Sequence, residues 1–133
     1  MTELVPPSLD RYVGWSACVA DFGGSQMDGS GHHGPPPDTS REGFAAYVAA
    51  RLLMADPAWE PAEGRVPCSF AWIVESPGSP DVLGFLAIRH RLNDFLLEQG
   101  GHVGYAVRPS RRREGHAARA LALALPMCIR LGI

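Results

Sequence analysis

Two short apolar segments, joined by a turn rich in proline and glycine, do most to restrict the fold of this chain. Residues 69–75 (SFAWIVE) and 82–89 (VLGFLAIR) have the apolar, aromatic and β-branched composition that is typical of β-strands. Residues 76–81 (SPGSPD) between them hold two prolines and a glycine, which is a strong turn signal. The pattern predicts a hairpin, and the rest of the fold has to be built around it.

Helical patterns precede this hairpin, and a further strand and helix follow it. Each helical pattern begins after a capping side chain, namely Ser8 or Asp10 for the first helix and Thr39 or Ser40 for the second. The predicted elements are a short strand at residues 4–5, helices to about residue 22 and over about 40–55, a strand over 102–107 and a helix over about 115–131. The order predicts one α+β domain over residues 1–133.

Between the first two helices lies a loop of residues 23–39, rich in glycine and proline. Loops of this length inside a compact domain tend to be functional or mobile. It contains His32 and His33, but two adjacent histidines without a nearby carboxylate or thiol partner do not predict a metal site. The widely spaced Cys18, Cys68 and Cys128 have no CxxC spacing, so neither a disulfide framework nor zinc is expected, and each should be a small buried apolar group.

Charge is distributed unevenly along the chain. Residues 1–88 carry four arginines and eleven acids, a balance of −7, whereas residues 89–133 carry eight arginines and three acids, a balance of +5. The basic C-terminal part favours an anionic ligand. The longest apolar run, residues 120–128, is too short to span a bilayer, and the N-terminus lacks a secretory pattern, so we expect a cytoplasmic protein with no membrane partner.

The segment with the clearest chemistry joins the last predicted strand to the last helix and reads RREGHA over residues 112–117. The first turn of a helix offers unpaired N–H groups and the positive end of the helix dipole. Gly115 and the small Ala117 let a ligand approach the backbone, and arginine binds phosphate well. From the residues alone, a pyrophosphate site and a solvated basic helix cap both remain open. Nucleic-acid binding through residues 108–113 is a third interpretation, but we expect no nucleic-acid partner, because this is a single basic cluster in a mildly acidic chain with no recognised binding motif.

The same segment resembles the GNAT family of N-acetyltransferases, which has Gln/Arg-x-x-Gly-x-Gly/Ala at this junction. Arg112, Gly115 and Ala117 match that pattern, and LGFLAIRHRLN…GGHVGYAVRPSRRREGHAARAL is similar to a bacterial subgroup of predicted members. The resemblance implies a GNAT-like mixed sheet flanked by helices, with acetyl-CoA as cosubstrate. It also implies direct transfer of the acetyl group to the amine of a small molecule or peptide.

The resemblance also implies which residues would hold the cosubstrate. Backbone amides of residues 113–117 would bind the pyrophosphate, and the main chain of the strand ending at Val107 would bind the pantetheine arm. The residues expected to bind acetyl-CoA are therefore Val107, Arg112, Arg113, Gly115, His116 and Ala117.

A general base has to take a proton from the incoming ammonium. His102 lies on the strand that often supplies this group in the family, and Glu98 precedes it; Glu75 is a third candidate. The choice between a substrate contact and a turn cap is open for Asn93. A set of aromatic side chains is expected to pack in the core, with an acceptor pocket as the alternative: Tyr12, Trp15, Phe44, Tyr47, Trp59 and Trp72.

In the family, a further strand, a helix and usually two more strands follow the pyrophosphate-loop helix. Here the sequence stops at Ile133, so we expect a partial, C-terminally truncated domain, incomplete after that helix. An exposed strand edge and an uncovered apolar helix predict self-association. The alternative to an active enzyme is a catalytically silent acyl-CoA-binding or assembly module.

Overall fold

A computed structural model of the chain describes residues 2–32, 34–56, 67–90 and 102–132. The predicted elements form in the predicted order. They are β1 (Glu3–Val5), α1 (Tyr12–Phe22), α2 (Arg41–Met54), β2 (Cys68–Val74), β3 (Gly84–Arg89), β4 (Val103–Val107) and α3 (His116–Arg130). Single turns of 3-10 helix, Leu9–Arg11 and Pro109–Arg111, precede α1 and follow β4. The α+β fold class is confirmed.

The described strands form one sheet in the order β1-β2-β3-β4. Each neighbouring pair is antiparallel, and β2 and β3 make the predicted hairpin. Residues 82 and 83, predicted as the start of the second hairpin strand, lie just before β3, where Leu83 N–H still donates to Ile73 O at 2.7 Å. Among the described strands, β1 and β4 are therefore the two edges.

Helices cover both faces of this sheet because each face is apolar. On one face α1 and α2 pack Trp15 and Phe44 against Trp72 and Phe85 of the sheet. On the other, Ala120 and Ala124 of α3 lie one turn apart and pack with apolar side chains of the sheet, including Ile73, Leu86 and Ile88. The small alanines let the helix approach the strands closely, which places the start of α3 at the end of β4.

Most of the predicted core residues are buried. Trp15, Phe44, Tyr47 and Trp72 are in the core and Tyr12 packs against it, so the core interpretation of these aromatic residues is confirmed. Cys18 and Cys68 are free and buried, while Cys128 is half-buried. Trp59 and Asn93 lie outside the described residues. No helix in the described part of the chain is both long and apolar enough to cross a membrane.

One of the two predicted helix caps is wrong. The hydroxyl of Ser40 accepts the N–H of Gly43 at 3.0 Å and caps α2 as predicted. By contrast, α1 is preceded by the turn Leu9–Arg11 and has no side-chain cap. The Ser8 hydroxyl donates instead to the Asp10 carboxylate, so the two candidate caps bond to each other rather than to backbone amides.

The middle of the loop between α1 and α2 is hydrogen-bonded to α2 and packed against the sheet. Ser30 is buried, and its carbonyl accepts hydrogen bonds from Tyr47 Oη (2.5 Å) and Arg51 Nη1 (3.2 Å). Gly29 has a φ of +83°, and a Cβ there would lie 2.7 Å from Gly104 O and 2.9 Å from Phe85 O. Only glycine allows the loop to lie this close to β3 and β4.

Candidate functional site

The segment between β4 and α3 is held in an uncommon backbone conformation. Gly115, the residue that caps α3, has a φ of +84°. Arg113 has a φ of +67° and is the one non-glycine residue with a positive φ in the described part of the chain. A side chain in this region costs on the order of 1–3 kcal/mol, and such residues cluster at ligand-binding loops. The geometry marks residues 112–115 as a candidate binding loop.

Backbone amides of this loop are available to an anion. Arg119 N–H donates to Gly115 O at 3.1 Å, so the amides of the first helical turn before Arg119 have no acceptor within α3. The positive end of the helix dipole lies at the same place. Ala117 is small and half-buried, and leaves room beside this turn.

The three consecutive arginines have different environments. Arg111 bonds to Glu114 (Nε to Oε1, 3.0 Å) and lies 3.6 Å from Glu75, so its charge is largely compensated. Arg112 Nε donates to Val107 O at 2.8 Å, and its guanidinium stacks over the ring of Phe22.

Arg113 is exposed and forms no ion pair with any residue that the structure describes. Of the three, it is the guanidinium that remains available to a ligand.

His116 has a structural side chain. It is buried, with Nδ1 3.0 Å from Thr2 Oγ1 and Nε2 3.0 Å from Glu114 Oε1. Arg119 donates to Thr2 Oγ1 at 2.9 Å and to Glu114 O at 2.7 Å. Hydrogen bonds from Arg111 and His116 lower the pKa of Glu114. The group of His116 that is left for a ligand is therefore its backbone amide. Thr2 is not a candidate residue from the sequence, because no local pattern singles it out.

The outer edge of β4 presents main-chain groups beside the loop. Arg108 N–H donates to Leu83 O, and Arg89 N–H donates to His102 O, both at 2.7 Å. Because bonding alternates along an antiparallel pair, the odd-numbered residues Val103, Tyr105 and Val107 direct their N–H and C=O groups away from β3. The Val107 carbonyl is taken by Arg112, which leaves its N–H as the group available at that residue.

The candidate bases are not gathered at the loop. His102 is half-buried and directly precedes β4, whereas the loop follows the C-terminal end of that strand. Five residues of extended chain separate the two by roughly 17 Å. Any one ligand that contacts both has to be extended. Glu75 is beside the loop, where it faces Arg111. Glu98 lies outside the described residues.

A pocket of about 400 Å³ opens in the α1–α2 loop. The His32 ring in its wall is held by a hydrogen bond between Nε2 and Pro35 O. His33 lies outside the described residues, and within residues 2–32, 34–56, 67–90 and 102–132 no three metal-ligating side chains come together. The pocket is lined by Val19, Gly24, Ser25, Gln26, Met27, His32, Gly34, Pro36 and Pro37.

Comparison with known proteins supports the fold. No protein-family model matches the sequence, and neither does any curated protein. A solved structure described as a "Putative GnaT-family acetyltransferase from Bordetella pertussis" superposes with a TM-score of 0.58 at 22% sequence identity. The match covers 96% of this chain and 66% of that protein, so this chain spans about two-thirds of its length. The GNAT-like fold that the resemblance implied is therefore confirmed.

Proposed function

We propose that this chain is an acetyl-CoA-dependent N-acetyltransferase, or a part of one. The observation that carries the proposal is the loop after β4. There helix-start amides with no acceptor within α3, the left-handed Arg113 and Gly115, and an available guanidinium occur together. These groups fit a pyrophosphate, since amides and arginine both donate hydrogen bonds to phosphate oxygens.

The fold supports the rest of the cosubstrate site. The outward N–H and C=O groups of β4 fit the amide-bearing pantetheine arm, which is extended and can reach from the loop towards His102. In the proposed reaction the acceptor amine attacks the thioester carbonyl carbon, the C–S bond breaks and CoA leaves as its thiolate. A base takes the ammonium proton, for which His102 and Glu98 are the candidates.

The acceptor would be a small molecule or a peptide with a free amine. The pocket in the α1–α2 loop is a candidate site for this acceptor, because the same loop packs against Gly104 of β4 through Gly29. Three free cysteines, two of them buried, agree with a reducing compartment such as the cytoplasm.

A second candidate function is an acyl-CoA-binding module without catalysis. It is favoured by the match to 66% of the related structure, because the aligned part need not contain every catalytic group. Nucleic-acid binding through residues 108–113 is less well supported, since Arg108, Arg111 and Arg112 all make internal contacts.

Calorimetry with acetyl-CoA tests the binding half of the proposal. We expect Arg113→Gln to weaken binding by roughly tenfold or more, as lost charged hydrogen bonds cost about 1.5–3 kcal/mol. The matched control is Arg130→Gln, which removes the same charge from the far end of α3 and should bind like the wild type. Absence of binding by the wild type would refute the proposal.

Release of free CoA thiol across a panel of amines then separates the enzyme from the silent module. Amine-dependent release supports acetyltransfer, and binding without release for any amine supports the second candidate. A further variant, His102→Gln, should lower kcat while leaving the affinity for acetyl-CoA unchanged if His102 is the base.

A further inference from the structure

One carboxylate fastens the start of the binding loop to α1. Asp21 lies in the last turn of that helix, and its Oδ2 accepts hydrogen bonds from Arg108 Nε at 2.6 Å and from Ser110 N at 3.3 Å. The hydroxyl of Ser110 donates to the same oxygen. Three donors from the turn after β4 thus converge on a single atom of a distant helix.

The partners of Asp21 are themselves held in place. Arg108 N–H donates to Leu83 O at 2.7 Å, which ties this residue to the end of the sheet, and its Nη1 lies 3.4 Å from Val82 O. Side chains of Asp21 and Arg108 are 15% and 18% exposed, so the pair is partly shielded from water and its charged hydrogen bonds are strengthened. The bond from Arg108, followed by that from Ser110, lowers the pKa of Asp21.

The loop is therefore held at both ends. At its start Asp21 holds residues 108–110, and Phe22 of the same helix turn lies under Arg112. At its end the Thr2, His116 and Arg119 contacts hold the beginning of α3. Residues 111–115, which include both left-handed positions, lie between these two attachments, where Arg111 also faces Glu75 and Arg112 bonds to Val107 O.

We propose that Asp21 is a positioning residue for the anion-binding loop. It keeps residues 108–110 fixed, so that the amides of residues 113–117 and the side chain of Arg113 face the pyrophosphate without first having to be ordered. Ordering a loop at the moment of binding costs affinity, and a loop that is already ordered avoids that cost. The inference rests on the proposed function for the identity of the ligand. The hydrogen bonds that hold residues 108–110 to Asp21 do not depend on that function.

Two measurements on the same variants test the proposal. Hydrogen exchange of the ligand-free protein reports the order of residues 110–116, and calorimetry reports the affinity for acetyl-CoA, both well below the unfolding temperature. The variants are Asp21→Ala, which removes the acceptor, and Asp21→Asn, which keeps its shape. Asp10→Ala is the matched control, because Asp10 is an exposed acid whose hydrogen bond is to the nearby Ser8.

For Asp21→Ala we expect faster exchange confined to residues 110–116 and roughly tenfold weaker binding of acetyl-CoA, with Asp21→Asn between it and the wild type. Asp10→Ala should change neither. If Asp21→Ala fails to fold, Ser110→Ala removes one of the three donors and should show the same local change at smaller size.

Faster exchange throughout the molecule, or faster local exchange with unchanged affinity, would overturn the positioning role and leave Asp21 as a structural residue. Faster local exchange in Asp21→Ala, together with no binding of acetyl-CoA by the wild type, would refute the proposed function. The role of Asp21 in ordering the loop would still stand.

Discussion

At the scale of single residues, the contacts that shape the loop join positions far apart in the chain. Asp21 meets Arg108 across 87 positions, and Thr2 meets His116 across 114. No local pattern of residues encodes such a pairing, since neither partner carries a signal about the other. The sequence could therefore indicate the turn that is the candidate anion site, but not the two side chains, Asp21 and Thr2, that hold its ends.

A glycine comparison tests how closely the α1–α2 loop packs on the sheet. Gly29 and Gly34 have similar φ values, +83° and +89°. A Cβ at Gly29 would meet two carbonyl oxygens within 3 Å, whereas one at Gly34 would meet no atom of the described residues within 4 Å. We expect Gly29→Ala to lower the free energy of unfolding by about 1–3 kcal/mol more than Gly34→Ala. Urea denaturation measures both; equal losses would mean that the backbone angle alone matters.

At the scale of elements, local patterns are sufficient to predict that the helices and the hairpin form, although not where every helix begins. The turn at residues 76–81 and the period of each apolar segment act over short distances, so β2, β3 and α2 could be predicted from them. The start of α1 could not, because Ser8 and Asp10 have two possible partners, each other and the backbone, and only the folded geometry decides between them.

The cap of α2 gives a prediction at this scale. Ser40→Ala removes the acceptor for Gly43 N–H and should lower the free energy of unfolding by about 1 kcal/mol. Ser40→Asp retains an acceptor and should restore most of it. Thr39→Ala, one residue earlier and also exposed, is the control, and thermal denaturation compares the three variants. A loss for Thr39→Ala as large as for Ser40→Ala would contradict the assignment of the cap.

At the scale of the whole molecule, α3 carries apolar surface that the described residues do not cover. Ala118, Ala122, Leu125 and Ile129 recur with helical spacing on its outer side, and Leu125 and Ile129 are 63% and 75% exposed. Apolar stripes of this kind promote contact between chains. We propose that the protein self-associates through α3, in agreement with the expectation from the sequence.

Light scattering over a series of protein concentrations measures this association. We expect the wild type to form larger species as concentration rises, and Leu125→Gln together with Ile129→Gln to shift that transition to higher concentration. Leu53→Gln on α2 is the control, since Leu53 is also exposed (56%) but lies on the opposite face of the sheet. A monomeric wild type at every concentration, or an equal effect of the control, would contradict the proposal.

The burial of Thr2 has a practical consequence for handling the protein. Its hydroxyl contacts both His116 and Arg119, so Thr2 itself lies beside the beginning of α3. An affinity tag or fusion partner attached at the N-terminus would be joined to the chain close to this contact, and so close to the loop on which the proposed activity depends. Ligand titrations are therefore best made after the tag has been cleaved off, or with the tag or fusion partner attached elsewhere in the chain.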